Sequence, residues 1–378
     1  MKKKIFASTP SRICLFGEHQ DYLGLEVIAA AINLRFYATA SSREDKVIRI
    51  VTSGEKLGKL SHDMNDYVQE ETIIDLSKPI VYENKRDYLK STINTLIKHG
   101  YVFQHGYDIT LDSEIPIGKG MSSSTTMIIV LMKILLEMLN SEDKNNSEKI
   151  ARLGFEAEVL EFNEPGGMMD HYASALGGLL HLTFDVETKV ERIERNIPGC
   201  FILFDSGDQK DTTRVLANAK TPVVNGLNKL KIYGIESIRD FINNEDNIKH
   251  LDSLTPEEKV KILANIDNYK LLKAGEQLLK EDGFKPEELG ELIKKHHENL
   301  RDGLNISTAS IETILETAYK NGALGGKING SGGGGCAYVY CLEKDIDRIL
   351  EAVHAVGFKG CVLKQDTGVR KDKEDIVI

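Results

Sequence analysis

The chain has 378 residues, 41% hydrophobic and 28% charged, with a net charge of −10. A chain of this length can bury a full core, and it should fold as roughly two domains. The acidic balance argues against a generic nucleic-acid binder or a ligand of anionic membranes, so neither partner is expected.

The N-terminal run "MKKKIFASTPSR" is basic but has no apolar region behind it, so no secretory signal is expected. The five cysteines (Cys14, Cys200, Cys336, Cys341 and Cys361) show no CxxC and no zinc-like spacing. They read as reduced intracellular thiols, and a cytoplasmic location is expected.

In chain order, "KIFASTPSRICLFGEH" reads as strand, turn, strand. "KVIRIVTS" alternates as a strand does. "YDITLDSEIPIGKG" is a strand running into a glycine loop, and a long helix follows from about Ser122 to Leu139. That helix is strongly apolar but carries Lys133 and Glu137, which suits a buried helix rather than a membrane span. "SEKIARLGFEAEVLEF" predicts a second helix with Ser147 as cap. "NEPGGMMDHYASALGG" predicts a loop turning helical, and "GGLLHLTFD" and "CFILFDSG" predict strands. From about Thr221 to Lys320 the pattern is amphipathic helices. The chain then closes with "GKINGSGGGGCAYVYCL" (turn and strand), a helix and a strand. The expectation is α+β in two domains, residues 1–195 and 196–378, with a boundary near Asn196.

Three polar stretches invite a chemical reading. In "IPIGKGMSSSTT", Gly118 and Gly120 precede Ser122, Ser123 and Ser124 at the start of the apolar helix. Unpaired N–H groups and the helix dipole make such a start a phosphate site, but a serine-capped buried helix fits as well. "GSGGGG" (residues 330–335) formally fits GxGxxG. It leads into a strand rather than a helix, which argues against a dinucleotide fold. It is either a tight turn or a close approach to another segment or a ligand. "GEHQDY" gathers Glu18, His19 and Asp21 after an apolar strand, either as a solvated turn or as acceptors for the hydroxyls of a polyol. "EPGGMMDH" sets Asp170 behind two glycines, either as a helix cap or as a positioned base.

Together, "PSRICLFGEHQDYLG", "PIGKGMSSST" and "KINGSGGGGC" resemble, in order, the three motifs of the GHMP kinase superfamily. "GEHQDYLG", Arg12 and "GGMMDHYASALGG" are most like their galactokinase counterparts. Two features depart from that pattern. "DSGDQKDTTRVL" lacks a Tyr-x-x-Arg-Arg segment, and "GSGGGGC" is nearer the mevalonate kinase form. The resemblance implies an N-terminal ribosomal-protein-S5-like domain and a C-terminal ferredoxin-like domain with the active site between them. It implies ATP and Mg2+, with phosphates over Gly118, Gly120, Ser122, Ser123 and Ser124, approached by the glycine turn at Gly332 and Gly333. Ser124 and Glu158 would hold the metal. Asp170 would be the base, paired with Arg12. Glu18, His19, Asp21 and the Gly167 backbone would hold the sugar. The implied activity is phosphorylation of the anomeric hydroxyl of a neutral aldose, galactose first. The alternatives are a mevalonate-type kinase, a kinase for another sugar, or a non-catalytic sensor of sugar and ATP.

Overall fold

The computed structural model describes residues 4–53, 70–184, 187–209 and 211–373. Among these residues, one sheet has eight strands and a second has four. The first sheet comprises β1 (Lys4–Phe16), β2 (Val27–Ser42), β3 (Val47–Thr52), β4 (Glu71–Asp75), β5 (Tyr107–Ser113), β6 (Leu179–Phe184), β7 (Thr188–Arg192) and the late strand β12 (Arg370–Asp372). Its order is β12-β1-β2-β5-β3-β4, with β6 joining β2 to β7. Every pair is antiparallel except β3 with β5.

The turn expected inside the first segment does not form: β1 is continuous through Pro10. Proline has no N–H to give the ladder, and the register slips between Pro10 and Ser11 instead. Four helices accompany this sheet: α1 (Tyr88–Lys98), α2 (Ser123–Met138), α3 (Ser147–Phe155) and α4 (Met169–Leu176). The apolar helix predicted after the glycine loop is α2, buried against β1 and β2. Its two charges are satisfied in place, because Lys133 Nζ lies 2.8 Å from Glu137 and donates to the Lys144 carbonyl at 2.6 Å. The cap of α3 is Asn146 rather than Ser147, its side chain accepting the Lys149 N–H at 3.0 Å.

The second sheet has the order β11-β8-β10-β9, from β8 (Cys200–Asp205), β9 (Gly325–Ile328), β10 (Cys336–Cys341) and β11 (Lys359–Leu363). All its pairs are antiparallel. This is the expected ferredoxin-like arrangement. Between β8 and β9 it carries α5 (Thr212–Leu230), α6 (Arg239–Asn243), α7 (Pro256–Lys280), α8 (Pro286–Glu298) and α9 (Ala309–Lys320). Between β10 and β11 it carries α10 (Ile346–Ala355).

The helical region begins earlier than the pattern predicts. α5 starts at Thr212, where Asp211 accepts the Arg214 N–H at 3.0 Å. It then runs through Pro222. A proline inside a helix leaves the carbonyl four residues back without its partner. Here that carbonyl, Asn218, takes the Lys261 ammonium from α7 at 2.6 Å. The expected boundary at Asn196 falls between β7 and β8, but the layers are not consecutive in sequence, because β12 returns to pair with β1.

Candidate active site

A cleft of about 350 Å3 is lined by residues of both halves of the chain. It brings together Arg12 from β1, Glu18, His19 and Asp21 from the loop after β1, and Gly118, Gly120, Ser122, Ser123 and Ser124 from the start of α2. Glu158, Gly167 and Asp170 line it as well.

At its centre Asp170, in the first turn of α4, accepts from Arg12 Nε and from the Ser122 hydroxyl, each at 2.6 Å. Burial would raise the Asp170 pKa. The Arg12 charge, its hydrogen bond and the Ser122 hydroxyl outweigh it and hold the carboxyl below its usual value. Arg12 also donates to the Gly120 carbonyl at 3.1 Å, tying its pair with Asp170 to the glycine loop. Ser122 is in the left-handed region at φ 54° and precedes α2. Its side chain makes no capping bond, so the expected capping role is replaced by the bond to Asp170. Ser123, Ser124 and Thr125 of the first turn of α2 line the cleft, and an uncapped helix start of this kind can serve as an anion site.

Asp21 accepts the N–H groups of Tyr22 at 2.9 Å and Met169 at 3.3 Å. Burial, followed by the negative charge of Asp170, pushes its pKa up to about 6. Gly167 packs flat on this carboxylate. A Cβ there would sit 2.0 Å from Asp21 Oδ2, so any larger residue would have to displace this carboxylate. Glu158 is buried, with Thr125 donating to its Oε2 at 2.7 Å and His171 Nε2 lying 2.8 Å from the same oxygen.

The expected sugar ligands Glu18 and His19 are differently employed. Glu18, 2% exposed, pairs with Lys327 Nζ at 2.5 Å, and its other oxygen accepts the Gly330 N–H at 3.0 Å. His19 spans Tyr22 Oη at 2.8 Å and the Ser331 carbonyl at 3.0 Å. Both residues line the cleft, yet these bonds clasp the glycine turn of the second half.

That turn does approach the phosphate loop, as expected, but through other glycines. A Cβ on Gly330 would meet the Gly120 carbonyl at 2.4 Å. Gly330 and Ser331 line the cleft, whereas Gly332 and Gly333 do not. Gly332 backs onto Ile306, and the Gly333 N–H donates to the Ile306 carbonyl at 2.7 Å, so these two pack rather than face a ligand.

Several contributors went unread in the sequence. Asn329 accepts the Cys14 N–H at 3.1 Å and donates to the Gly120 carbonyl at 3.2 Å, joining β1, the loop before α2 and the glycine turn. Arg86, at the rim, forms a two-pronged pair with Glu164 at 2.5 and 2.9 Å and reaches Thr213 on α5. Thr212 and Leu216 of α5 close one wall. Lys327 carried a legible signal, since a lysine inside an otherwise apolar strand needs a buried partner. The others depend on contacts between distant segments.

Comparison with known proteins bears on this geometry. Residues 87–178 match the GHMP kinases N terminal domain and residues 276–359 the GHMP kinases C terminal domain. With the match described next, these cover more than half of the chain, and the chain belongs to the GHMP kinase family. Residues 1–42 match the galactokinase galactose-binding signature. A galactokinase of Fusobacterium nucleatum is 28% identical, over 96% of this chain and 90% of its own. A mevalonate kinase of Thermococcus sibiricus is also 28% identical, over 96% of each chain. The fold is shared with Lactococcus lactis galactokinase complexed with galactose (TM-score 0.79, 21% identity, 98% of this chain and 95% of that one). It is shared as well with Methanococcus jannaschii mevalonate kinase (TM-score 0.70, 21% identity, 97% and 99%). Among the described residues, no helix is long and apolar enough to cross a membrane.

Proposed function

We propose that the protein transfers the γ-phosphoryl group of ATP to the anomeric hydroxyl of a neutral aldose, with galactose the first candidate. The observation that carries this reading is Asp170, held ionised by Arg12 and Ser122 at the start of α2, where phosphates would bind. The galactose-binding signature over residues 1–42 supports the choice of sugar.

In this reading the α2 N-terminus and the Gly118–Gly120 backbone cradle the nucleotide phosphates. Asp170 orients the acceptor hydroxyl and takes its proton. With a lowered pKa it is a weak base, so the proton moves late, as a loose phosphoryl-transfer transition state allows. The Arg12 guanidinium faces the same point and offsets charge on the transferring group. Asp21 and the Gly167 backbone would position the sugar.

Magnesium would neutralise phosphate charge when bound. The donors present fit a hard cation. Ser124 and Glu158 both line the cleft, and the two contacts on Glu158 fall on Oε2, leaving Oε1 without a bond among the described residues.

A second reading, a mevalonate-type kinase, is favoured by one observation. Two carboxylates at positions 18 and 21 should repel an anionic substrate, but Lys327 neutralises the first of them. The deciding experiment is ADP release over a panel of free aldoses, uronic acids and mevalonate, with the product site read by phosphorus NMR. The highest kcat/KM for galactose or a related aldose, with a 1-phosphate product, supports the proposal. The highest value for mevalonate refutes it.

A further inference from the structure

Two of the five cysteines meet in the fold. Cys200 opens β8 and Cys341 ends β10, and the two residues stand directly opposite in the antiparallel register. They are 141 positions apart, yet their sulfurs lie 3.7 Å from one another. Both belong to the sheet face that carries Ile202, Phe204, Ala337 and Val339, so the side chains point the same way. Cys341 is buried, whereas Cys200 at the strand end is partly exposed, which gives a reagent access to one sulfur and shields the other.

We propose that Cys200 and Cys341 form a reversible oxidation site, closed to a disulfide by hydroperoxides. Residues directly opposite in an antiparallel pair have Cα atoms about 4.5–5.5 Å apart, inside the range of about 4.4–6.8 Å that a disulfide spans. The sulfurs need only rotate together, with no movement of the strands. The two thiols are hydrogen-bonded to one another, and Cys200, the partly exposed one, is the attacking sulfur because a reagent can reach it.

The Cys200 thiolate attacks one oxygen of the hydroperoxide. An S–O bond forms, the O–O bond breaks, and hydroxide or alkoxide leaves to be protonated, giving a sulfenic acid. The Cys341 sulfur then attacks the Cys200 sulfur. The S–S bond forms, the S–O bond breaks, and the hydroxyl departs as water with the Cys341 proton. Two thiols are oxidised by two electrons in total, and the peroxide bond is reduced.

The link would enclose the whole helical insert from α5 to α9. It lies at the opposite end of β8 from Asp205, five residues and roughly 17 Å along the strand from the end nearest the cleft. The expected effect is therefore on stability, with turnover unchanged within about twofold, because a cross-link closing so long a loop restricts the unfolded chain.

The test is to treat the reduced full-length protein with stoichiometric hydrogen peroxide, then measure intact mass, peptide linkage and thermal midpoint. The expected result is a loss of two hydrogens, a peptide joining Cys200 to Cys341, and a midpoint raised by several degrees, all reversed by dithiothreitol. Cys200→Ser and Cys341→Ala should each abolish the link and the shift. Retention of both thiols, oxygen added to Cys200 without a link, or a link to Cys336 or Cys361 would overturn the site. A Cys200–Cys341 link that leaves the midpoint unmoved would overturn its stabilising role. None of these readouts depends on which substrate the enzyme takes.

Discussion

Lys327 and Glu18 form an ion pair that joins β9 to the loop after β1, with the two side chains 0% and 2% exposed. The Lys327 ammonium also donates to the Cys14 carbonyl at 2.9 Å. Removing one partner of a buried pair leaves an uncompensated charge, at a cost of roughly 3–5 kcal/mol. We predict that Lys327→Met loses stability of this order, and that Lys327→Met with Glu18→Gln regains most of it. Denaturant midpoints in a double-mutant cycle would check this. A loss in the double variant equal to the sum of the Lys327→Met and Glu18→Gln losses would show that no coupling exists.

Asp170→Asn should keep the fold and bind nucleotide, since the amide is isosteric and its oxygen can still accept from Arg12. Loss of the base and of the local charge should lower kcat by about 10²-fold or more. Steady-state kinetics with nucleotide binding measured separately would test it. More than a tenth of wild-type kcat would rule out the proposed role.

Ser122 and Ser124 should separate. Ser122→Ala deletes the hydroxyl on Asp170 and is expected to lower kcat at every magnesium concentration. Ser124→Ala should raise the magnesium concentration needed for half-maximal rate. A magnesium titration of both variants distinguishes them, and identical profiles would reduce both residues to structural roles.

Asp21 should show a trade between stability and function. Its folded pKa of about 6 lies above the ordinary 3.8. A carboxyl raised on folding contributes stability that is complete below the unfolded pKa and lost as pH rises through the folded one. At pH 7.5 the ionised group therefore costs the fold, by an order of about 3 kcal/mol from the shift. Asp21→Asn should melt higher than wild type at pH 7.5, with the gap closing as pH falls from 6 toward 4, and should raise the sugar KM. A gap that stays constant over this range would refute the assignment.

Arg35, 3% exposed, spends its guanidinium on the Ser8 hydroxyl and carbonyl, Asp366, and the carbonyls of Thr367 and Gly368, at 2.7 to 3.1 Å. Arg35→Met should cost on the order of 3 kcal/mol. The segment before β12 should then become accessible to protease, and limited proteolysis read by mass spectrometry would detect it. An unchanged cleavage pattern would show that Arg35 does not hold this segment.

The legible parts of the molecule were those written in local pattern. The apolar stretch after Ser122 could only be a buried helix, and α7, α9, α10 and β8 follow from periodicity. The pairing of Arg12 with Asp170 was legible through the resemblance of the segments that carry them, but the bond from Ser122 to Asp170 was not. Composition did not reveal how side chains divide their bonds. Glu18 and His19 have the chemistry of hydroxyl ligands, but Lys327 and Ser331, some 310 residues away, claim them. The extension of α5 through Pro222 was hidden because its repair comes from Lys261 on another helix. β12 has only three residues, too few for any period to register.

The pairing of Phe6 with Asp372 means that β1 waits until a strand some 366 residues later has been made. A ribosome adding about 5–20 residues per second would leave that strand edge open for tens of seconds, a template for unwanted pairing. Arg12 sits on the same strand, so residues 370–372 must be made before the strand that carries it is fully seated. A fragment ending near residue 195 would keep Arg12, Ser122 and Asp170 in its sequence, but with β1 unsealed.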